Sequence, residues 1–274
     1  VCKKTNPLRV MIQTMCELLG MSANVPTDIC FSFSGLRARG GRTGPHKDGW
    51  GMAMYRDTNV WTLHDPSPSA DSDIAEVISN TSLKCDIVIS HIRQANVGAV
   101  CLLNTHPFSR LLWDKTWSYA HNGQLEDANA LPITLYHPLG NTDSERAFCW
   151  IIEQLQARLG ESEPSLDEIS TILSELALQL KSRGVFNMML SDGVRLYCFC
   201  TTKLHWITRR APFKKATLSD EDVIIDFKEV TTDKDVVTVI ATQPLTHDET
   251  WQQMEEGELC VFEGGEVVCQ IKAN

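Results

Sequence analysis

Apolar positions in the first half of the chain fall into short, nearly continuous runs over residues 15–21, 50–56, 86–92 and 117–121, with a further β-rich run over 60–64. Runs of this length without alternation predict strands buried on both faces. Between the first two, Pro26-Thr27-Asp28 predicts the opening of a helix whose Ile29, Phe33 and Leu36 share one face and which Gly40-Gly41 ends. The period then changes. Thr142-x-x-Glu145 has the form of a capping box, and Phe148, Ile151, Ile152, Leu155 and Leu159 follow at helical spacing until Gly160. Pro164 starts a second helix carrying Leu166, Ile169, Leu173, Leu176 and Leu180, closed by Gly184. From Phe186 the strand pattern returns, with Asp192-Gly193 predicting a hairpin between 188–190 and 195–200, and with 236–241 and 259–262 continuing the series. Strands, two helices and more strands predict one α/β domain of two stacked sheets flanked by helices.

Composition narrows the function classes. The 274 residues are 43% hydrophobic and 22% charged, ordinary for a globular domain, and no Pro/Ser-rich linker or repeat divides them. A net charge of −10 without a basic stripe offers no electrostatic footprint for nucleic acid or an anionic membrane, which favours a small-molecule substrate. The ten cysteines are scattered through apolar segments with no C-x-x-C spacing, so they are expected to be reduced thiols in the cytoplasm. Residues 10–12 form too short an apolar run for a signal peptide, and nowhere do 18 apolar residues run together.

The pair Met15-Cys16 carries the sharpest chemistry. Removing a methionine before a small residue exposes a thiol and an α-amine of pKa ~7.7–8 on one residue, so nucleophile and base need no second side chain. While residues 1–15 remain attached, the Cys16 nitrogen is a non-basic amide. Residues 1–15 are therefore expected to be a leader or extension absent from the active form, and 16–274 a single domain. The bland alternative is a buried cysteine opening a core strand.

Four polar segments lie at strand ends or in glycine-bearing loops. His46-Lys47-Asp48-Gly49-Trp50-Gly51 reads as a turn in which Asp48 bonds its local backbone. In His91-Ile92-Arg93-Gln94-Ala95-Asn96-Val97-Gly98, the Arg93 fork suits a substrate carboxylate, or equally a structural ion pair. In Tyr119-Ala120-His121-Asn122-Gly123-Gln124, the Asn122 amide and the Gly123 N–H suit an oxyanion, although Asn-Gly is also an everyday turn. Capping accounts for Thr142 and Glu145 and leaves Asp143 available for a substrate ammonium. A thiol, a carboxylate clamp, an oxyanion site and an ammonium partner together describe a pocket for an α-amino acid whose side-chain carbonyl is attacked. Glutamine or another γ-glutamyl compound is such a substrate.

These segments, with residues 15–23, Asn104-Thr105-His106-Pro107-Phe108, 204–213 and 241–245, resemble the class II glutamine amidotransferases of the N-terminal nucleophile hydrolase superfamily. Among them the chain is most similar to the stand-alone YafJ-type members, which share His46-x-Asp48-Gly49-Trp50-Gly51. The resemblance implies a four-layer αββα sandwich with two mainly antiparallel sheets. It also implies Cys16 as nucleophile and base, Asn122 and Gly123 as oxyanion hole, Arg93, Asp143 and His106 as substrate-binding residues, and neither metal nor organic cofactor. Gln94 stands where better-known members carry tryptophan.

With one apparent domain, released ammonia would pass to a separate synthase subunit, or the reaction would be hydrolysis of a γ-glutamyl peptide as in related families of thiol metabolism. Two further readings differ in class. A silent glutamine-binding subunit would keep the pocket with its Cys16 amine blocked, and a Cys-His hydrolase would use His46, His91, His106 or His121 as base. A metal site built from those histidines with Asp48 has no recognised ligand spacing.

Overall fold

Among the described residues, three hydrophobic clusters divide the buried apolar side chains, and their stacking defines the architecture. The computed structural model describes residues 16–95 and 98–273. In chain order the main elements are β1 (Glu17–Asp28), α1 (Cys30–Arg39), β2 (Trp50–Arg56), β3 (Asn59–Asp65), α2 (Asp73–Asn80), β4 (Lys84–Ile92), β5 (Phe108–Leu112) and β6 (Lys115–Leu125). Helices α3 (Asp143–Leu159) and α4 (Leu166–Lys181) follow. Then come β7 (Gly184–Ser191), β8 (Leu196–Cys200), β9 (His205–Arg210), β10 (Lys215–Thr217), β11 (Ile224–Asp226), β12 (Val236–Ala241), β13 (Gln252–Gln253), β14 (Glu258–Glu263) and β15 (Glu266–Ile271).

The strands form a seven-stranded sheet in the order β13-β9-β12-β1-β4-β2-β3 and a six-stranded sheet in the order β15-β14-β8-β7-β6-β5, with β10 and β11 as a separate small hairpin. Pairing within both large sheets is antiparallel. The continuous apolar runs follow from burial on two faces. In β1, Leu19, Met21 and Ala23 face α1 and α2, packing on Phe33, Leu36, Ala75 and Ile78, while Leu18 points into the inter-sheet core. The second sheet divides likewise. Phe186, Met188, Leu190, Tyr197, Phe199, Leu259 and Val261 pack under α3 and α4, whereas Met189, Cys198, Cys200, Cys260 and Phe262 face the first sheet. The layers therefore run α1/α2, first sheet, second sheet, α3/α4: the four-layer αββα sandwich of N-terminal nucleophile hydrolase type. The sheets meet closely at Gly20, where a Cβ would lie 3.0 Å from both Leu196 and Met189. All nine cysteines among the described residues are free thiols. Among the described residues no helix is long and apolar enough to cross a membrane.

Two local expectations are corrected. Pro26-Thr27-Asp28 does not open the helix but ends β1, and α1 starts at Cys30 with Ile29, Phe33 and Leu36 buried as expected. The register of β1 against β4 shifts between Ser22 and Thr27, so Pro26 lies where the ladder is interrupted and its missing N–H costs no ladder bond. The Thr142/Glu145 box is only half formed. The Thr142 hydroxyl accepts the Glu145 N–H at 3.1 Å, but the Glu145 carboxylate turns to Arg110 and to the amides of Leu139 and Gly140. A complete capping box forms instead at Ser165 and Glu168, opening α4.

Candidate active site

Strand pairing assembles the site from distant segments. Glu17 opens β1 opposite Ile92, the last residue of β4, so Cys16 and Arg93 leave adjacent strands side by side. From the second sheet, β6 presents Asn122 and Gly123, and the N-terminus of α3 presents Asp143. One pocket is lined by Cys16, Arg93, Gln94, His106, Gly123 and Asp143, together with Ala95, His121, Gln124, Thr142 and Ser144. Five of the six residues singled out from the sequence thus line one cavity. The sixth, Asn122, is fully buried behind it.

The Cys16 sulfur lies under the Arg93-Gln94-Ala95 segment. It accepts the Gln94 backbone N–H at 3.2 Å and lies 3.5 Å from the Gln94 carbonyl, to which the thiol can donate. Burial pushes the thiol pKa up to about 11, against smaller lowering contributions from the Gln94 backbone and the Arg93 charge. The Asn122 amide donates to the Cys16 carbonyl and, at 3.2 Å, to the Thr242 hydroxyl. The Thr242 hydroxyl also accepts the Leu18 N–H at 2.9 Å, and Thr242 N–H donates to the Leu18 carbonyl at 3.1 Å. Asn122, β1 and the turn after β12 are therefore one unit. Arg39 anchors the same turn, reaching Glu17, Asp220 and the carbonyls of Gln243 and Pro244.

Gly123 is required by space, since a Cβ there would collide with the Val185 carbonyl oxygen. The Arg93 guanidinium donates to the carbonyls of Ala99 at 2.9 Å and Gly98 at 3.1 Å. Asp143 accepts the Leu125 N–H at 2.8 Å on one carboxylate oxygen. Asn96 and Val97, quoted with the Arg93 segment, lie outside the described residues, as does Met15.

His91, His106 and His121 are neutral core groups. Burial depresses His91 to about 3 and His106 well below its ordinary value, with the neighbouring histidines and the Arg93 charge adding to the effect. Burial also lowers His121, against opposing contributions from Asp143 and the Val185 carbonyl. His121 Nε2 lies 3.0 Å from that carbonyl and Nδ1 lies 2.8 Å from the Ser144 hydroxyl, which assigns the proton to Nε2. His106 packs 4.2 Å from the His91 ring and 4.4 Å from the Phe108 ring. Among the described residues no histidine hydrogen-bonds Cys16, whose sulfur meets only Gln94. Nor, among the described residues, do three or more His, Cys, Asp or Glu side chains gather as metal ligands.

Sequence reasoning missed the supports of this site. Asn187, fully buried, donates to the Asn122 carbonyl at 3.1 Å and accepts the N–H groups of Thr201 and Thr202 at 2.9 and 3.0 Å. Thr242 had no local signal beyond its place in a segment resembling the family. Asp48 carried one: a carboxylate immediately before two spaced glycines.

The chain is similar to known proteins over most of its length. The family model "Glutamine amidotransferases class-II" matches residues 15–274. YafJ of Escherichia coli strain K12 is 55% identical over 254 residues, covering 93% of this chain and all of that protein. The crystal structure of a predicted glutamine amidotransferase from Pseudomonas aeruginosa superposes with a TM-score of 0.73 at 43% identity, covering 93% of this chain and all of that one. Glutamine phosphoribosylpyrophosphate amidotransferase from B. subtilis shares the fold, with a TM-score of 0.60 at 14% identity over 94% of this chain and 49% of its own.

Proposed function

Since the chain belongs to the class-II glutamine amidotransferases, we propose that it is an amidohydrolase that cleaves a γ-glutamyl amide through a thioester on Cys16. The observation carrying this reading is the position of the Cys16 sulfur, held under Gln94 in a pocket that also contains Arg93, Gly123 and Asp143. In this mechanism the α-amine of Cys16 takes the thiol proton as sulfur attacks the γ-carbonyl, and it delivers that proton to the departing amine. The carbonyl oxygen becomes an oxyanion held by the Gly123 N–H and the Asn122 amide, which exchanges the Cys16 carbonyl for it. Water then splits the thioester, releasing glutamate and regenerating the thiol. Arg93 pairs with the substrate carboxylate and Asp143 with its ammonium, while neutral His106 closes the pocket wall. The family match begins at Met15, which supports an active form starting at Cys16 without residues 1–15.

The leaving group is ammonia, passed to a separate acceptor subunit or released, or else the amine of a γ-glutamyl peptide. Ammonia release from glutamine, measured beside amine release from γ-glutamyl dipeptides, decides between them. Turnover of neither by a chain beginning at Cys16 would overturn the proposal in favour of a silent binding subunit.

Arg93→Ala is expected to raise KM at least about tenfold with a smaller change in kcat, because the lost charge-assisted pair contributes to capture more than to the chemical step. Steady-state kinetics checks this, and an unchanged KM removes the clamp role.

A further inference from the structure

The His46–Gly51 segment, which the catalytic reading leaves without a role, reaches the pocket from behind. We propose that Asp48 is a positioning residue that fixes the Gln94 peptide over the Cys16 sulfur; the catalytic consequence rests on the function proposed above, the geometry does not. The antiparallel β2–β4 ladder, which pairs Trp50 with Ile92, continues one step beyond both strands. Asp48 N–H donates to the Arg93 carbonyl at 3.1 Å, and Arg93 N–H donates to the Gly49 carbonyl at 2.8 Å. There the backbone ladder stops and a side chain takes over, as one Asp48 carboxylate oxygen accepts the Ala95 N–H at 2.7 Å. Gln94 is thus held on both sides, at Arg93 by backbone and at Ala95 by the carboxylate. The remaining N–H of the segment, that of Gln94, points at the Cys16 sulfur at 3.2 Å.

The two glycines after Asp48 make this approach sterically feasible. Gly49 sits at φ +107°, a backbone conformation that favours glycine, and a Cβ there would lie 2.9 Å from the Asp65 carbonyl oxygen. At Gly51 a Cβ would collide with the His106 carbonyl oxygen and lie 2.7 Å from that of Leu63. The same short segment therefore lies against two walls of the pocket, Arg93–Ala95 and His106. A charged acceptor suits the Ala95 N–H because a charge-assisted bond to a backbone amide is stronger than a neutral one. The amide oxygen of asparagine can fill the same place, but alanine leaves the N–H without its acceptor.

The test uses the full chain and two substitutions, Asp48→Ala and Asp48→Asn, with iodoacetamide as a probe that needs no bound substrate. Alkylation at each cysteine is followed by peptide mass. In Asp48→Ala, Cys16 is expected to react about tenfold faster as the segment above it loosens, while Cys198, Cys200 and Cys260 in the inter-sheet core stay protected. Asp48→Asn should remain within about threefold of the parent. On chains beginning at Cys16, Asp48→Ala should also raise KM for the γ-glutamyl substrate more than it lowers kcat, with Asp48→Asn restoring it. An unchanged Cys16 rate in Asp48→Ala overturns the proposal, and so does a rise shared by the core thiols, which would mark a general loosening. If the parent turns over no γ-glutamyl amide, the functional reading fails while the alkylation pattern still decides the role of Asp48.

Discussion

Cys16→Ala is expected to abolish γ-glutamyl turnover, by on the order of 10⁴-fold or more, and to leave the fold intact. The rate loss follows from the chemistry: without sulfur there is no thioester, and neither the oxyanion donors nor the substrate clamps supply another nucleophile. Stability should change little. Cys16 precedes β1 and retains 9% of its surface, and among the described residues its sulfur hydrogen-bonds one residue, Gln94. Its carbonyl, which receives the Asn122 amide, is untouched by the substitution. A loss of about 1 kcal/mol or less is expected, shifting Tm by about 2–4 °C for a chain of this size. Parallel ammonia or amine release assays and thermal melts of the parent and variant check both halves. A variant with parental activity would rule out Cys16 as nucleophile, and an unfolded one would show that the residue is structural.

Much of the fold was legible because the central strands carry a two-sided signal. β1, β2 and β4 are buried between a helical layer and a second sheet, so both residue parities are apolar and the runs stand out. The strands at and next to the sheet edges gave no such signal. In β15 exposed and half-buried positions alternate over Glu266–Ile271, and in β9 the sequence HWITRR is only partly covered. The eight residues of α2 are too few for a helical period to stand out, although Ser72 caps it by accepting the Ala75 N–H at 3.2 Å. Pro26 and Glu145 were misread for a different reason. Each has a sound local reading, as a helix opener and as one half of a box, which long-range partners override: β4 for the first, Arg110 and the 139–140 amides for the second.

The candidate site was legible as a set of residue types but not as an arrangement. Arg93, Asn122, Gly123 and Asp143 each had an ordinary structural reading, and only their combination with Cys16 pointed to one pocket. The supports were hidden because they act across the chain. Thr242 bonds the backbone of Leu18 from 224 positions away and also accepts from Asn122. No local pattern encodes such a contact; it follows from β12 pairing with β1 while β6 lies in the opposite sheet. Asp48 was read as closing its own turn, yet its carboxylate accepts the N–H of Ala95.

The second large effect concerns the nitrogen of Cys16. A chain beginning at Cys16 is expected to show a rate that rises with pH through a midpoint near about 8, the ordinary range of an α-amine, while a chain retaining residues 1–15 is inactive across that range. The amine acts as base only when neutral, so activity falls as pH drops below its pKa and levels off above it. The sulfur cannot substitute for this step on its own. Burial pushes the thiol pKa up to about 11, so the thiol stays protonated around pH 8. The lowered histidines offer no alternative base, since among the described residues none hydrogen-bonds the sulfur. With residues 1–15 attached, any remaining turnover should keep climbing toward pH 11 instead of levelling off above 8. Profiles measured before and after proteolytic release of Cys16, with intact mass on each sample, test this directly. Superimposable profiles would show that the α-amine is not the base and would move the Cys-His hydrolase ahead.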